Sequence, residues 1–296
     1  MSISSLSPAQ ISGLSTTTIQ AQTTTSIASL SASQIGAISA AGIGVLAQTQ
    51  IDAISTTQAK GLTAAQIPSL AVSVVFDSTQ LAIFNSQQVQ ALSGTELSAL
   101  DSTHLAVFTA TQAASFTTTQ LNALATTGLN GLTSTAVAAL SSAQINALSA
   151  VNLGGVATAL AADLTATQVG GLTATTLGAL GSTELDALST TQMKGLTAAQ
   201  VGSLSSTVIA GYSATTISGL TSTQIGGLST TVIANITTTE LGALTTTQIP
   251  GLTKTQLGSL STTNITAMAT TQINALTTAQ VQGLSDAQAN AYADHA

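Results

Sequence analysis

The chain is 296 residues long, and only 4% of them are charged, against roughly 25% in ordinary globular proteins. Ten acids, three lysines and no arginine leave a net charge of −7 and no basic patch, so nucleic acid is not expected as a partner. A hydrophobic content of 44% is too high for a disordered chain, and without cysteine neither disulfides nor thiolate metal sites can form.

In chain order, residues 1–5 form a short N-terminal lead with no basic stretch followed by an apolar run, so no cleavable signal is expected. An eight-residue unit begins at Leu6 with LSPAQISG, LSTTTIQA, QTTTSIAS and LSASQIGA, and eight copies run through residues 6–69. The hexad at residues 70–75, LAVSVV, breaks the count and is expected to be a phase defect, a kink or a boundary between two stacks. Twenty-seven further octads run through residues 76–291, and residues 292–296 form a C-terminal tail. The consensus is L-[ST]-x-[TA]-Q-[IVL]-x-[AG], and such self-similarity at a fixed period is the mark of a repeat architecture. No window offers the roughly eighteen consecutive apolar residues of a membrane-spanning helix, so no transmembrane segment is expected.

The residues that replace the consensus say what the unit is. Position 2 is Ser or Thr in most copies, and Asp77, Asn85, Asp101 and Gly181 complete the set favoured at a helix N-cap. Three residues later, position 5 is Gln in nineteen octads and Glu in three, Glu96, Glu184 and Glu240. That spacing is a capping box, in which the hydroxyl accepts from one amide and the Gln or Glu reaches back to the cap amide. Positions 1 and 6, nearly always apolar, then stand where the two partners of a hydrophobic staple stand. Pro8 occupies the first helical position, where proline is tolerated, and Pro68 and Pro250 at position 7 would break any longer helix. Each octad is therefore expected to form one short helical turn. The small residue at position 8 is expected to turn the chain and to permit close approach of successive turns.

The fold class that follows is all-α, a solenoid of very short capped helices with one per octad. A single continuous helix fails, because residues eight apart are rotated by about 80° and positions 1 and 6 would form no face. A β-solenoid with an arc in each octad is the alternative, since Thr-rich runs suit strands. A helix of five or six residues is unstable alone, so the octads must stabilise one another in a one-dimensional stack. The stretch from Leu180 resembles that from Ile236, seven octads later, which marks either a block duplication or the superhelical geometry. The chain ends are only modestly altered, Ala289 replacing the aliphatic residue at position 6, so head-to-tail joining of copies is expected.

No constellation for chemistry emerges. His104 takes the Gln position of an octad and reads as a cap substitute, and His295 lies in the tail. Glu96, Glu184 and Glu240 stand at capping positions with no recurring partner carboxylate for general acid–base work. Lys60, Lys194 and Lys254 read as solvated, and Asp52, Asp77, Asp101, Asp163 and Asp186 form no calcium-loop pattern. Serine is abundant, but no G-x-S-x-G elbow is present. No catalytic, cofactor-binding or metal residues are expected, and the chain reads as no enzyme. The Thr-Thr dipeptides at positions 3 and 4 are the one candidate surface.

LTAAQIPSL and LSPAQISGL resemble the opening helix of TAL-effector repeats, which begin L-T-P-x-Q-V-x-A-I, although that family's longer period, base-reading loop and basic character are missing. Over its whole length the chain is similar to the tandem octad tracts of very large, low-charge bacterial exoproteins, often labelled heme-utilisation or adhesion related. That resemblance implies a cell-surface or matrix role, though no haem ligand set is visible. The expected function is an extracellular structural protein that joins copies of itself head to tail or laterally into a filament, sheath or surface layer. An adhesin stalk, and an ice- or carbohydrate-binding module using the threonines, are the alternatives; a surface polysaccharide is the other conceivable partner.

Overall fold

The first turn of a helix leaves amide N–H groups without partners, and in most described octads of this chain the octad's own side chains supply them. The computed structural model describes residues 3–71, 74–124, 126–154, 158–180 and 182–294. Over these residues the chain folds into successive short helices, typified by Thr16–Gln20, Ala32–Ala37 and Thr56–Ala59, and no strand occurs among them. The protein is thus an all-α solenoid of short helices, and the β-solenoid alternative is not what the sequence forms.

Ser31 shows the local chemistry. Its backbone is extended at φ −76 and ψ 162, its hydroxyl accepts from the Gln34 amide at 3.2 Å, and Gln34 Oε1 accepts from the Ser31 amide at 2.7 Å. Asp77 and Asn85 cap in the same way, as the expected N-cap set requires. Ala47 and Ala269 have no side-chain oxygen, yet Gln50 and Gln272 still accept from their amides at 2.8 and 2.9 Å, so half of the box survives. At the other end the chain leaves the helix through an extended residue at position 1. Leu140, at φ −67 and ψ 139, still donates its amide to Val137 at 3.0 Å.

Among the described residues none has a positive φ, glycines included. Whatever turning occurs at position 8 therefore needs no left-handed conformation. The position serves close approach: a Cβ on Gly227 would lie 2.5 Å from the carbonyl oxygen of Ala198 in the preceding turn. Proline at position 7 has a further local effect. Pro68 and Pro250 lack the N–H for the α-helical bond, and their octads carry the 3₁₀ turns Ile67–Ser69 and Ile249–Gly251.

Positions 1 and 6 line the core. Ile35, Ile43 and Ile51 at position 6 are fully buried, with Ile38, Leu46 and Ile54 at position 1 nearly so. Within each unit, helices commonly pack against the third helix along, as Ala110–Ser115 does on Ser134–Ala139 and Ala198–Gly202 on Ser222–Gly227. Side chains at position 5 reach further, to carbonyls 28 and 31 residues earlier. One turn of the solenoid therefore holds between three and four octads, and 28 residues correspond to three and a half.

The chain forms two compact units, Met1–Gly155 and Val156–Ala296. The hexad lies inside the first and is not a boundary between stacks. Leu70 and Val74 are buried, and Val75 exchanges two hydrogen bonds with Gln48, at 2.7 and 2.9 Å. Gln80 and Gln88 bond across it to carbonyls 26 and 29 residues earlier, instead of 28 and 31. The hexad thus takes the place of one octad with two residues fewer, and the stacking continues through it. Just after it, Phe76 and Phe84 meet edge to face with ring centroids 4.9 Å apart, as Phe108 and Phe116 do at 5.1 Å. At the ends, Ile3 of the lead occupies the register of position 6 and is buried, and the last helix, Asp286–Ala293, runs into the expected tail.

Candidate functional site

Position 5 carries the recurring buried polar group of the solenoid. Gln224, 2% exposed, accepts the Thr221 amide at Oε1 over 2.7 Å, and its Nε2 donates to the carbonyls of Met193 at 2.7 Å and Leu196 at 2.6 Å. Gln58 does the same with the Ser55 amide and the carbonyls of Ile27 and Leu30. Each amide thus caps its own helix and also satisfies the open carbonyls at a helix end one turn back, which a buried helix terminus requires. Only the first role is visible in the octad itself. The signal for the second was the excess of Gln over Glu: a capping box accepts either residue, but only an amide can also donate.

Where position 5 is not Gln, other residues supply part of the same bonding. Asn264 keeps both functions, with the Ser261 amide at 3.3 Å and the Ile236 carbonyl at 3.0 Å. In the octad of Asn152 the cap amide of Ser149 goes instead to Asn122 Oδ1 of the preceding turn at 2.6 Å, while Asn122 Nδ2 donates to Ala147 at 2.7 Å. In the octad of Thr216, Asp186 Oδ1 accepts the Ser213 amide at 2.8 Å and the Thr216 hydroxyl at 2.6 Å. Those bonds, the Ser213 amide first, hold the Asp186 carboxyl below its ordinary range. Nearby, the Tyr212 hydroxyl is buried without a partner, and burial followed by the Asp186 charge pushes its ionisation well up.

The residues flagged for chemistry are scattered. His104 Nδ1 pairs with Asp101 Oδ1 at 2.7 Å, and the same oxygen accepts the amides of Thr103 and His104, which lowers the Asp101 carboxyl. Asp101 and Asp77 are thus N-caps, and Asp52 accepts from Gln48 Nε2 at 2.7 Å. Glu240 caps Thr237 through amide and hydroxyl, both at 2.7 Å, and Glu184 lies in the first turn of Ser182–Asp186. Asp163 ends the helix Thr158–Asp163. Lys60 and Lys194 are exposed, and the stem of the exposed Lys254 lies over Gly283 of the next turn. His295 lies outside the described residues. Among the described residues no three His, Asp or Glu side chains gather as a metal site would need, and no helix is long and apolar enough to cross a membrane.

Glu96 differs from the other two glutamates. It is 6% exposed; one carboxylate oxygen accepts the Ser93 amide at 2.6 Å, and the other, Oε1, is buried with no partner. Burial, offset in part by the Ser93 bonds, pushes the carboxyl above its ordinary range.

What the molecule presents outward is positions 2, 3, 4 and 7, as in the exposed run Thr117, Thr118, Thr119 and Asn122. A shallow groove of about 380 Å³ between successive turns is lined by Ala64, Gln87, Gln90 and Ala91. Because a turn holds a fractional number of octads, Thr-Thr pairs of adjacent turns are offset. Position 7 of one turn meets position 2 of the next, as Asn122 meets Ser149.

A family model described as the ALTTAQ repeat matches residues 233–270 and 254–286. Residues 275–280 spell that hexapeptide, positions 8 and 1 to 5 of the octad. The chain is similar to this repeat over that C-terminal stretch. A comparison with curated proteins gives no match.

Proposed function

We propose that the chain is an extracellular structural protein that self-assembles into a filament, sheath or surface layer. The observation that carries this reading is the fate of the position-5 glutamine. The one polar side chain that recurs in the interior is used up in holding turn to turn, as Gln224 is, and offers nothing to a substrate. The outward positions carry mainly hydroxyl, methyl and amide groups, and with 4% charged residues there is little like-charge repulsion to keep copies apart. Lateral contact between such surfaces, or stacking of one solenoid on another, is the association this chemistry favours. Electron microscopy of the purified protein tests it. Ordered filaments or sheets are expected, and a monodisperse monomer at high concentration by light scattering would overturn it.

An adhesin stalk is the second reading, supported by the one-dimensional stacking and by the resemblance to exoprotein tracts. Isolated particles in the same micrographs would favour it. An ice-binding threonine array has less support, because the offset between adjacent turns breaks up the regular ranks that an ice lattice would match. No thermal hysteresis is expected at millimolar protein.

A further inference from the structure

Glu96 occupies a slot that glutamine fills in most of the other octads. Gln88, one octad earlier, donates Nε2 to the carbonyls of Ala59 and Leu62. The same register advanced by one octad places the carbonyls of Ile67 and Leu70 opposite position 5 of the octad containing Glu96. The buried, unpartnered Oε1 is the atom that stands where an Nε2 would stand, while the Ser93 amide holds the other oxygen as it would hold a glutamine oxygen. A carboxylate oxygen cannot donate, and carbonyl oxygens cannot donate to it; a neutral carboxyl can donate one hydrogen bond in that direction.

We propose that Glu96 is a proton-operated latch on the turn beside the hexad. Protonated, its Oε1–H donates to a carbonyl of the preceding turn in place of the glutamine amide. Ionised, it leaves a carboxylate oxygen buried against carbonyl oxygens, and the junction loosens. The position suits a latch: Leu70, whose carbonyl the register assigns to it, opens the hexad, the one unit of the stack with two residues fewer. No second charge competes for the proton. The helix Thr118–Ala123, which packs on Gly94–Ser98, has no ionisable residue, nor have Ile67–Ser69 or Ser86–Ala91. In the following helix Asp101 and His104 pair with each other. The direction is fixed by linkage. A carboxyl raised in the folded state is fully neutral below the ordinary glutamate pKa of about 4.3, and its bond is lost as pH rises through the raised value.

The test uses the full chain and the variants Glu96→Gln and Glu96→Leu. Glu96→Gln restores the residue found at this position in nineteen octads and is expected to fold. Amide hydrogen exchange, corrected for its intrinsic pH dependence, is followed at residues 67–71 and 93–97. In the parent chain protection is expected to fall at least tenfold as Glu96 ionises, to stay level in Glu96→Gln, and to be low at every pH in Glu96→Leu. Infrared difference spectra between parent and Glu96→Gln report the carboxyl directly, and a protonated band persisting at pH values where an ordinary glutamate is ionised is expected. Matching pH profiles for parent and Glu96→Gln would overturn the latch. So would a carboxyl that titrates at or below its ordinary value, or protection that depends on added sodium or calcium instead of on protons.

Discussion

Gln224 Nε2 lies 2.6 Å from the carbonyl oxygen of Leu196, a residue 28 positions earlier in the chain. Together with the bonds to Met193 and Thr221, that contact uses every hydrogen-bonding direction this buried amide needs. Replacing it by leucine strands two carbonyls and one amide. Each stranded group costs about 1–3 kcal/mol, so Gln224→Leu is expected to destabilise by about 2–5 kcal/mol once partial relaxation is allowed. Gln224→Glu keeps the cap and loses the donor, and should fall between the two at neutral pH. Urea unfolding gives the order. Hydrogen exchange at residues 193–196 and 221–225 should show the loss locally, as in any stack held by nearest-neighbour contacts.

The glycines divide into two groups with opposite expected signs. A Cβ at Gly227 would collide with Ala198, and one at Gly170 would lie 2.5 Å from the Gly195 carbonyl oxygen. Gly227→Ala and Gly170→Ala should force successive turns apart and lower the urea midpoint. Nothing stands within 4 Å of a Cβ at Gly178, Gly242 or Gly258, all of which lie in helices. Alanine there restricts the unfolded chain without a clash and should raise stability by about 0.4–1 kcal/mol each. A fall in midpoint for the second group would contradict the packing described.

Tyr212 buries a hydroxyl that bonds to nothing. Removing it in Tyr212→Phe keeps the ring and eliminates the desolvation cost, so stability should rise by about 1 kcal/mol. Absorbance at 295 nm offers a second check: Tyr212 should stay un-ionised as pH passes through the ordinary tyrosine value of about 10.

Asp186 sets an acid-side dependence. Its carboxyl is held low by the Ser213 amide and the Thr216 hydroxyl, so its contribution is complete above the ordinary aspartate pKa of about 3.9 and disappears as pH falls through the depressed folded value. Asp186→Asn keeps an acceptor but does not titrate. Its stability relative to the parent should rise as pH drops below about 4. A constant difference from pH 6 to pH 2 would show that the two bonds do not depend on the charge. Asp186 is only partly buried, so the effect should be modest and should shrink further in high salt if it is electrostatic.

Most of the fold was legible because the repeat exposes its own chemistry. Asp77, Asn85 and Asp101 in place of Ser or Thr identify an N-cap without any neighbour, and capping is local. What stayed hidden was non-local. Nothing in a single octad says which carbonyls lie above Gln58, and only the preference for Gln over Glu hinted that a donor was needed there. The exchange of roles between Asn122 and Asn152, and between Asp186 and Thr216, depends on the length of a turn, which the octad does not encode. The hexad breaks the register along the chain, yet Gln80 and Gln88 still bond across it, to carbonyls two residues nearer in sequence than elsewhere. For chemistry, Asp77 and Asp101 act as caps and His104 pairs with Asp101, while Glu96 stands apart through its burial, which the octad does not encode.

The winding also bears on how such a gene can lengthen. If a turn consumes three and a half octads, copying a single octad rotates everything downstream by a fraction of a turn, and facing side chains lose their partners. Copying seven octads adds two whole turns and returns each residue to its former azimuth. The near-repetition of the stretch from Leu180 in that from Ile236 has this length. The smallest harmless unit of duplication is therefore set by the pitch of the coil and not by the peptide motif. Length variants among relatives of this chain should differ in steps of fifty-six residues more often than of eight.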